Sequence, residues 1–264
     1  MTIDDVDFAR LYREHMAAAR ARRPPEAWDA RAERMGRGRG DGAYVEAFLR
    51  RVDFTGCATL LDVGCGWGAI AVAAAPRLEM VWGLDYSPRM LELLAANAKA
   101  AGLANVRPVL RAWEDDWSDV PACDLVVASR STLVLDMEDA LLRLNAKARR
   151  RVCLTSRVGG TFVDAAACAA IGREPPPAAP DYIYALNILH RMGIHARVDY
   201  IDASDRGSRR RTPEERLRRL EADLGGLTDR EREAFAAWAA REPEAPAPGD
   251  RPPRWAFLSW DAPR

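Results

Sequence analysis

The spacing of apolar positions along the chain changes near residue 59. Residues 4 to 22 carry apolar side chains at helical spacing, and a shorter helical pattern spans 28 to 35 before the glycine-rich stretch 36 to 42. After residue 59, short β-rich runs alternate with helical segments. The pattern therefore predicts a helical N-terminal cap over residues 1–50, followed by an α/β fold.

Five strand-like runs follow one another with helices between them. They read TLLDV, MVWGL, VRPVL, DLVVAS and RRVCLTS, and the intervening helices end at Pro76, open at Ser87-Pro88 and lie near 137 to 147. Neighbouring parallel strands need a long crossover connection, which these helices supply. We therefore expect a doubly wound, mostly parallel sheet with helices on both faces.

The last hundred residues follow a different order. A helix, DYIYALNILHRMG, and an alternating strand, HARVDYID, precede two charged amphipathic helices at about 212–242 that are split at Gly225-Gly226. These helices either cover a substrate pocket or form a dimer contact. The final strand, RWAFLSW, has no crossover helix after it, which indicates an antiparallel insertion near a sheet edge. The sheet would then have seven strands.

The length of the chain is compatible with a single large core. Nothing in its 264 residues requires a split into separate domains. We therefore expect one domain over 1–264, with a cofactor-binding half at 57–163 and a substrate-side half at 164–264 that contains the helical insertion. The sequence leaves the oligomeric state open, and a dimer is compatible with it.

Composition narrows the class of partner. Charge balances at 39 basic against 39 acidic residues, so no net field attracts nucleic acid or an anionic membrane. No stretch approaches the ~20 apolar residues of a membrane span. The five cysteines are odd in number and lack CxxC spacing, which is typical of free thiols in a reducing cytoplasm. We expect a cytoplasmic protein whose partner is a small molecule, with neither nucleic acid nor membrane involved.

The stretch LLDVGCGWGAI carries the clearest chemistry. Gly64, Gly66 and Gly68 alternate between a predicted strand and a predicted helix, where glycine lets the backbone turn tightly and approach a ligand. Gly64, Gly66 and Ala69 also satisfy the GxGxxA dinucleotide variant. The glycines alone therefore do not separate a nicotinamide cofactor from other adenosine ligands.

Two acids next to the loop narrow this choice. Asp62 lies two residues before the first glycine, where a carboxylate repels a pyrophosphate but attracts a positively charged ligand such as an amino group or a sulfonium. Asp85 ends the second strand, where a carboxylate accepts both hydroxyls of a ribose. Asp62 also has a structural interpretation, in which it pins loop amides, and the two roles are compatible.

With these residues, the sequence resembles the class I S-adenosylmethionine-dependent methyltransferases. The resemblance is carried by LLDVGCGWG and by GLDYSPRML with its acid, and it covers roughly residues 28 to 163. It implies S-adenosyl-L-methionine as the cofactor, S-adenosyl-L-homocysteine as the product, and methyl transfer to a small-molecule acceptor through O, N or S. Because the sulfonium is already a leaving group, the resemblance implies no metal.

The resemblance also assigns cofactor contacts residue by residue. They fall on Asp62, Gly64, Cys65, Gly66, Gly68, Asp85, Tyr86 and Met90. The glycine loop would line the methionine portion, Asp62 would contact its ammonium group directly or through water, and Asp85 would bind the ribose. Tyr86 and Met90 would flank the adenine.

One contact region departs from the family pattern. After VRPVL the family usually offers a Gly-Asp pair whose acid takes the adenine amino group, whereas this chain has Ala112-Trp113-Glu114 after Arg111. Either Glu114 or Asp115 replaces that acid, or the backbone at Ala112 and Trp113 suffices, with the indole packing on the ring. Trp113 has an equally good interpretation as a core residue.

Candidates on the acceptor side come from two regions. Ser129 and Arg130 end the strand CDLVVASRS, and ligands gather at the carboxyl ends of strands in such sheets; Ser129 also counts as a cofactor contact. The Asn-Pro-Pro-Phe/Tyr motif of base and glutamine methylation is missing there. His15 is the best candidate base in the cap, where Trp28 and Tyr44 would close the same pocket.

Three rival classes remain open at this stage. A nicotinamide oxidoreductase would need a Tyr-x-x-x-Lys pair or its equivalent, and neither Lys99 nor Lys147 is placed for it. A binding protein or a non-methylating enzyme on the same fold would explain the loss of the usual acid at Ala112. An RNA or protein methyltransferase would need a recognition surface, and the composition of the chain gives no sign of one.

Overall fold

The structure is a computed structural model that describes residues 2–19, 42–159, 163–202, 212–241 and 254–262. Its strands are β1 (Thr59–Val63), β2 (Met80–Asp85), β3 (Val106–Leu110), β4 (Cys123–Ser129), β5 (Ala148–Arg157), β6 (Arg197–Asp202) and β7 (Arg254–Asp261). Its helices are α1 (Phe8–Ala19), α2 (Gly42–Arg51), α3 (Ala69–Ala74), α4 (Pro88–Ala100), α5 (Met137–Lys147), α6 (Ala165–Ala170), α7 (Tyr182–Arg191), α8 (Pro213–Leu224) and α9 (Asp229–Arg241).

The strands of the described residues form one seven-stranded sheet in the order β3-β2-β1-β4-β5-β7-β6. Strands β1 to β5 pair in parallel, and β7 runs antiparallel to both β5 and β6. The sequence prediction of a mostly parallel sheet with a late antiparallel strand is confirmed.

Helices cover both faces of this sheet, as predicted for a doubly wound fold. Along β1, Leu60 packs in the apolar cluster formed with α2, α3 and α4, whereas Leu61 and Val63 pack in the cluster formed with α1, α5 and α7. This alternation follows from the two-residue period of a strand. The central strands β1 and β4 are consequently buried along most of their length, whereas the edge strands β3 and β6 carry exposed side chains.

The two described helices of the first fifty residues lie on opposite faces of the sheet. In α1, the Tyr12 hydroxyl is buried and donates to the backbone oxygen of Val134 at 2.9 Å. In α2, Phe48 is buried and meets the ring of Phe257 edge to face at 5.3 Å. The helix predicted over 28 to 35 lies outside the described residues, so the cap is visible here only through α1 and α2.

Helices α6, α8 and α9 form a separate small core. Leu220 and Phe235 are buried in it, and Leu217 and Leu224 pack against it. The two helices predicted within 212–242 are therefore confirmed, and Gly225 ends α8 in the left-handed conformation (φ 75°). The narrow leucine stripe packs within this lobe. None of the described helices is both long enough and apolar enough to cross a bilayer.

The amino edge of the parallel sheet is held by Asp124. Its Oδ2 accepts hydrogen bonds from the amides of Ala58 and Thr59 (2.9 and 3.0 Å) and from the Thr59 hydroxyl (3.0 Å). Burial alone would raise the pKa of this carboxyl, but the hydrogen bonds lower it below its ordinary value of 3.8. The charged form is therefore stabilised by folding.

This hydrogen bonding predicts a pH-dependent contribution of Asp124 to stability. Because the folded pKa is depressed, the contribution is present above pH 3.8 and is lost as pH falls through the folded pKa. We expect Asp124→Asn to lower the free energy of unfolding by about 1–2 kcal/mol at pH 7. The gap should close below the folded pKa in denaturant unfolding followed across pH. A gap that persists unchanged at acid pH would contradict this account.

Candidate functional site

The candidate site lies where the carboxyl ends of the parallel strands meet. The glycine loop connects β1 to α3, Asp85 ends β2, and Ser129 ends β4. Thr155 lies beside Ser129 in the register of β4 and β5. In open α/β sheets this edge is where ligands bind.

Position 64 requires glycine because of the surrounding protein structure, whether or not a ligand is bound. Its φ is +67°, and a Cβ at this position would lie 2.3 Å from Cβ of Ser131. The amide of Gly64 donates to the backbone oxygen of Leu84 at 2.7 Å, and the Ser131 hydroxyl donates to the backbone oxygen of Val63 at 2.7 Å. The loop is thus clamped between the ends of β2 and β4.

Gly66 and Gly68 have different surroundings. A Cβ on Gly68 (φ +87°) would lie 2.3 Å from Cδ1 of Leu94, so helix packing excludes it. A Cβ on Gly66 (φ +54°) would have only Met90 within 4 Å, with Sδ at 3.9 Å. Gly66 is therefore the position of the three where the backbone faces the most open space, and Met90 borders that space.

Asp85 fixes the glycine loop through its carboxylate. One oxygen accepts from the amide of Gly66 at 2.8 Å, and the other accepts from the amide of Ser87 at 2.9 Å. The residue is 6% exposed. A carboxylate has about four acceptor sites, so it can hold these two amides and also accept from hydroxyls of a ligand.

Asp62 is more deeply buried, on the same side of the sheet. It is 1% exposed, and its Oδ2 accepts from the amide of Ala71 at 3.1 Å. Burial raises the pKa of Asp62 to about 7, against the smaller effect of the Ala71 amide, and the charge of Asp85 raises it further. Asp62 therefore holds one amide of α3, the helix after the loop, where the sequence predicted that it would hold loop amides. A nearby positive charge would favour its ionised form.

The other predicted cofactor contacts surround this pair. Met90 is buried and its amide donates to the Ser87 hydroxyl at 3.1 Å, which caps α4, while Tyr86 is half-buried. Cys65 is buried, and desolvation raises the pKa of its thiol well above 9. Cys65 therefore remains a neutral packing group at physiological pH rather than a nucleophile.

The region that departs from the family pattern forms a closed turn. The amide of Ala112 donates to the Asp115 carboxylate at 2.7 Å, and the backbone oxygen of Ala112 accepts from the Trp117 indole at 2.8 Å. Trp113 is half-buried against Trp117, with ring centroids 5.5 Å apart, and Glu114 is exposed. Asp115 thus holds the turn, and Trp113 packs as a partly buried edge of the core.

The acceptor-side candidates belong to one hydroxyl network. The Tyr44 hydroxyl hydrogen-bonds to Ser129 Oγ at 2.9 Å and to Thr155 Oγ1 at 2.8 Å. Thr155 Oγ1 also accepts from the amide of Arg130 at 3.0 Å. Sequence reasoning missed Thr155, although it is a hydroxyl residue near the carboxyl end of an apolar strand, which is the signal that could have identified it.

His15 has hydrogen-bond partners at both ring nitrogens. Nε2 lies 2.7 Å from the backbone oxygen of Ala178, which can only accept, so Nε2 carries the proton. Nδ1 then accepts from the Tyr184 hydroxyl at 3.1 Å. This arrangement ties α1 to α7 and favours a structural role over proton transfer. Trp28, predicted to close the same pocket, lies outside the described residues.

Comparison with known proteins identifies the same part of the chain. A family model described as "Methyltransferase domain" matches residues 60–153, which include the glycine loop, Asp62 and Asp85. An uncharacterised protein of Haemophilus influenzae is 36% identical over 270 residues, and the alignment covers 100% of both chains. The chain belongs to the class I S-adenosylmethionine-dependent methyltransferase family.

Solved methyltransferase structures share the fold at low identity. A phosphoethanolamine N-methyltransferase of Haemonchus contortus is 18% identical, with a TM-score of 0.56 over 98% of this chain and 61% of that one. A geranyl diphosphate C-methyltransferase of Streptomyces coelicolor is 17% identical, with a TM-score of 0.51 over 84% and 77% of the two chains. The chain thus shares its overall fold with both proteins.

The clamp on the glycine loop predicts a specific double-mutant cycle. We expect Gly64→Ala to cost about 2–4 kcal/mol, from the clash with Ser131 and from the left-handed backbone. Adding Ser131→Gly removes the clash but not the backbone strain, so we expect it to recover about 1–2 kcal/mol in denaturant unfolding.

A matched control comes from the end of α4. Gly102 has nearly the same φ (+69°), and a Cβ there would have nothing within 4 Å. Gly102→Ala should therefore show the cost of backbone strain alone. If Gly64→Ala cost no more than Gly102→Ala, the clamp would be refuted.

Proposed function

We propose that the chain transfers a methyl group from S-adenosylmethionine to a small-molecule acceptor. The observation that carries this proposal is the pair of buried carboxylates, Asp62 and Asp85, on either side of the glycine loop. Asp85 offers acceptor oxygens for ribose hydroxyls, and Asp62 gains from a neighbouring cation because its pKa is raised to about 7. One ligand that carries both a ribose and a cationic amino acid portion satisfies both acids.

The residues of the loop fit this ligand. The backbone at Gly66 faces space that a side chain would occupy, and Met90 borders it. Asp85 would hold the ribose, Asp62 would lie near the ammonium group, and Tyr86 and Met90 would flank the adenine. Because the amide and backbone oxygen of Ala112 are engaged within the turn at 112–115, the backbone and ring of Trp113 would meet the adenine in place of the usual acid.

Bound there, S-adenosylmethionine supplies a methyl group on a sulfonium that leaves as a neutral thioether. The protein's task is then to place the acceptor in line behind that methyl group and to exclude water. Ser129 and Arg130, at the end of β4, are the residues proposed to contact the acceptor. Their backbone and hydroxyl positions are fixed by Tyr44 and Thr155.

We assign proton removal neither to His15 nor to Tyr12, which lies on the same helix. His15 uses both ring nitrogens, and burial raises the pKa of Tyr12 well above 10 while its hydroxyl donates to Val134. Tyr12 therefore stays protonated at neutral pH, and neither ring nitrogen of His15 is left to take a proton from an acceptor without giving up a hydrogen bond. This favours an acceptor atom that is nucleophilic without a protein base.

A small acceptor and a cytoplasmic location are parts of the same proposal. The Haemonchus protein is described in complex with phosphomonomethylethanolamine and S-adenosylhomocysteine, and the shared fold supports a small acceptor here. The balanced net charge supports a partner other than nucleic acid. All five cysteines are free thiols, which supports a reducing compartment.

A second candidate function is binding of the same cofactor without methyl transfer. It is favoured by the turn at Ala112, whose amide and backbone oxygen are already engaged by Asp115 and Trp117. The adenine would then have fewer hydrogen-bond partners than in the usual family pattern, which is compatible with a protein that binds the cofactor without using it for methyl transfer. Turnover of labelled S-adenosylmethionine with a panel of small acceptors separates the two functions.

The cofactor assignment predicts selective binding of S-adenosylhomocysteine in calorimetric titration, with NAD and NADP failing to bind. We expect Asp85→Asn to weaken binding about 100-fold, because charge-assisted hydrogen bonds to the ribose are lost. Asp124→Asn is the matched control, since that carboxylate also accepts backbone amides but lies at the amino edge of the sheet. Binding of NAD instead, or equal affinity in both variants, would contradict the assignment.

A further inference from the structure

Thr155 lies near the carboxyl end of β5 and is completely buried, with 0% of its surface exposed. It has no surface to offer to a ligand, so any effect that it has on binding must pass through its neighbours. Its hydroxyl oxygen accepts from the amide of Arg130 at 3.0 Å, and its backbone oxygen accepts from the Thr132 hydroxyl at 3.1 Å. Thr155 therefore holds the residues on either side of Ser131, in the segment that follows β4.

Ser131, the residue between these two contacts, lies against the glycine loop. Its hydroxyl donates to the backbone oxygen of Val63 at 2.7 Å, and a Cβ on Gly64 would lie 2.3 Å from Cβ of Ser131. The amides of Gly64 and Cys65 in turn donate to the backbone oxygen of Leu84 at 2.7 and 3.0 Å. One chain of contacts consequently runs from β5, through the segment after β4, to the loop between β1 and α3.

The segment that Thr155 holds contains a strained backbone. Among the described residues that are not glycine, Arg130 alone has a positive φ, at 57°. L-residues adopt this region infrequently because Cβ crowds the carbonyl oxygen, and they keep it only where the surrounding structure holds them. The amide that donates to Thr155 belongs to this same residue. Loss of the Thr155 hydroxyl would therefore release the turn where its strain is concentrated, directly before Ser131.

Buried tyrosines support this arrangement from both faces of the sheet. The Tyr44 hydroxyl of α2 lies 2.8 Å from Thr155 Oγ1, and Tyr44 is 1% exposed. From the other face, the Tyr12 hydroxyl of α1 donates to the backbone oxygen of Val134 at 2.9 Å. A buried polar network of this kind fixes the positions of its members. The Thr155 hydroxyl is thus held in place to act on the segment after β4.

We propose that Thr155 is a positioning residue for the cofactor, which sets the affinity for S-adenosylmethionine by holding Ser131 against the glycine loop. A loop that is already fixed in its binding conformation loses less freedom on binding, so its ligand binds more tightly. The inference rests on the proposed function, because it concerns the cofactor side of the same site. It adds a buried residue that acts on the cofactor from β5, without touching it.

The test measures S-adenosylhomocysteine affinity by calorimetric titration, below the melting temperature of each variant. Thr155→Val keeps the shape of the side chain but removes its hydroxyl, so we expect the affinity to fall about tenfold. Thr155→Ser keeps the hydroxyl, so we expect its affinity to stay within about twofold of the wild type. If Thr155→Val does not fold, Thr132→Val takes its place, because it removes the other contact with Thr155 and should weaken binding in the same direction.

Thr59→Val is the matched control for a loss of stability. The Thr59 hydroxyl also joins two neighbouring strands, β1 and β4, by donating to the Asp124 carboxylate at 3.0 Å, but it lies at the amino edge of the sheet. We expect Thr59→Val to lower the melting temperature and to leave the affinity for S-adenosylhomocysteine unchanged.

A double-mutant cycle tests the route through Ser131. Ser131→Ala removes the hydrogen bond to Val63, so we expect it to weaken binding by itself. If Thr155 acts through Ser131, the double variant should bind no more than about twofold more weakly than the more affected single variant, because both changes release the same contact. Losses that multiply in full would show that the two residues act separately, which would contradict this route.

Hydrogen exchange in the free protein tests the same link without a ligand. The amides of Gly64 and Cys65 lie at the end of this chain of contacts. Relative to the amides of β4, we expect them to exchange at least about fivefold faster in Thr155→Val than in the wild type. The ratio should stay at its wild-type value in Thr155→Ser and in Thr59→Val.

The outcomes distinguish this inference from the proposed function. Failure of the wild-type protein to bind S-adenosylhomocysteine would overturn the proposed function. Binding by the wild type with undiminished affinity in Thr155→Val, with equal losses in Thr155→Val and Thr59→Val, or with unchanged exchange at Gly64 in Thr155→Val would overturn the role of Thr155.

Discussion

Two buried carboxylates hold the glycine loop in place, and the candidate site depends on them. Asp85 accepts the amides of Gly66 and Ser87, and Asp62 accepts the amide of Ala71 in the helix that follows the loop. Placing two carboxylates in a buried region is unfavourable unless hydrogen bonds or a cation compensate. These three backbone amides supply part of that compensation, and a cationic ligand would supply the rest. Structure and proposed ligand binding thus rely on the same two side chains.

The neighbouring strands build the other side of the site by different means. At the ends of β4 and β5, neutral hydroxyls of Tyr44, Ser129 and Thr155 bond to one another, and they hold Arg130 in a strained backbone conformation. The cofactor side is therefore lined by two buried acids, whereas the side formed by β4 and β5 is lined by hydroxyl groups. The two acids suit a cationic cofactor, and the hydroxyl groups keep the neighbouring strand ends neutral.

The sequence predicted the order of elements well, because local signals mark each boundary. Ser87 and Pro88 open α4 as expected, and α5 begins and ends at the predicted residues. The glycine spacing correctly predicted a tight loop, but two of the three glycines are required by packing against other segments of the chain. Gly64 and Gly68 are required by the side chains of Ser131 and Leu94, contacts between segments that no local pattern reveals.

Other features of the site were beyond sequence reasoning because they depend on tertiary contacts. His15 looked like a base on its helical face, but its partners, Ala178 and Tyr184, come from distant segments. Thr155 was overlooked because its role depends on the pairing of β5 with β4 and on α2 above them. The turn at Ala112 was correctly seen as unusual, yet only the structure shows that Asp115 closes it.

The most direct test of this account is the number of protons released when S-adenosylhomocysteine binds, measured by calorimetry at pH 7 in buffers of different ionisation enthalpy. Because burial and Asp85 raise the pKa of Asp62 to about 7, the free protein carries this group partly protonated near neutral pH, and a ligand ammonium lowers that pKa. The account predicts net proton release on binding by the wild-type protein and loss of that release in Asp62→Asn. Binding without proton release, or the same release in both proteins, would contradict the central role of the two carboxylates.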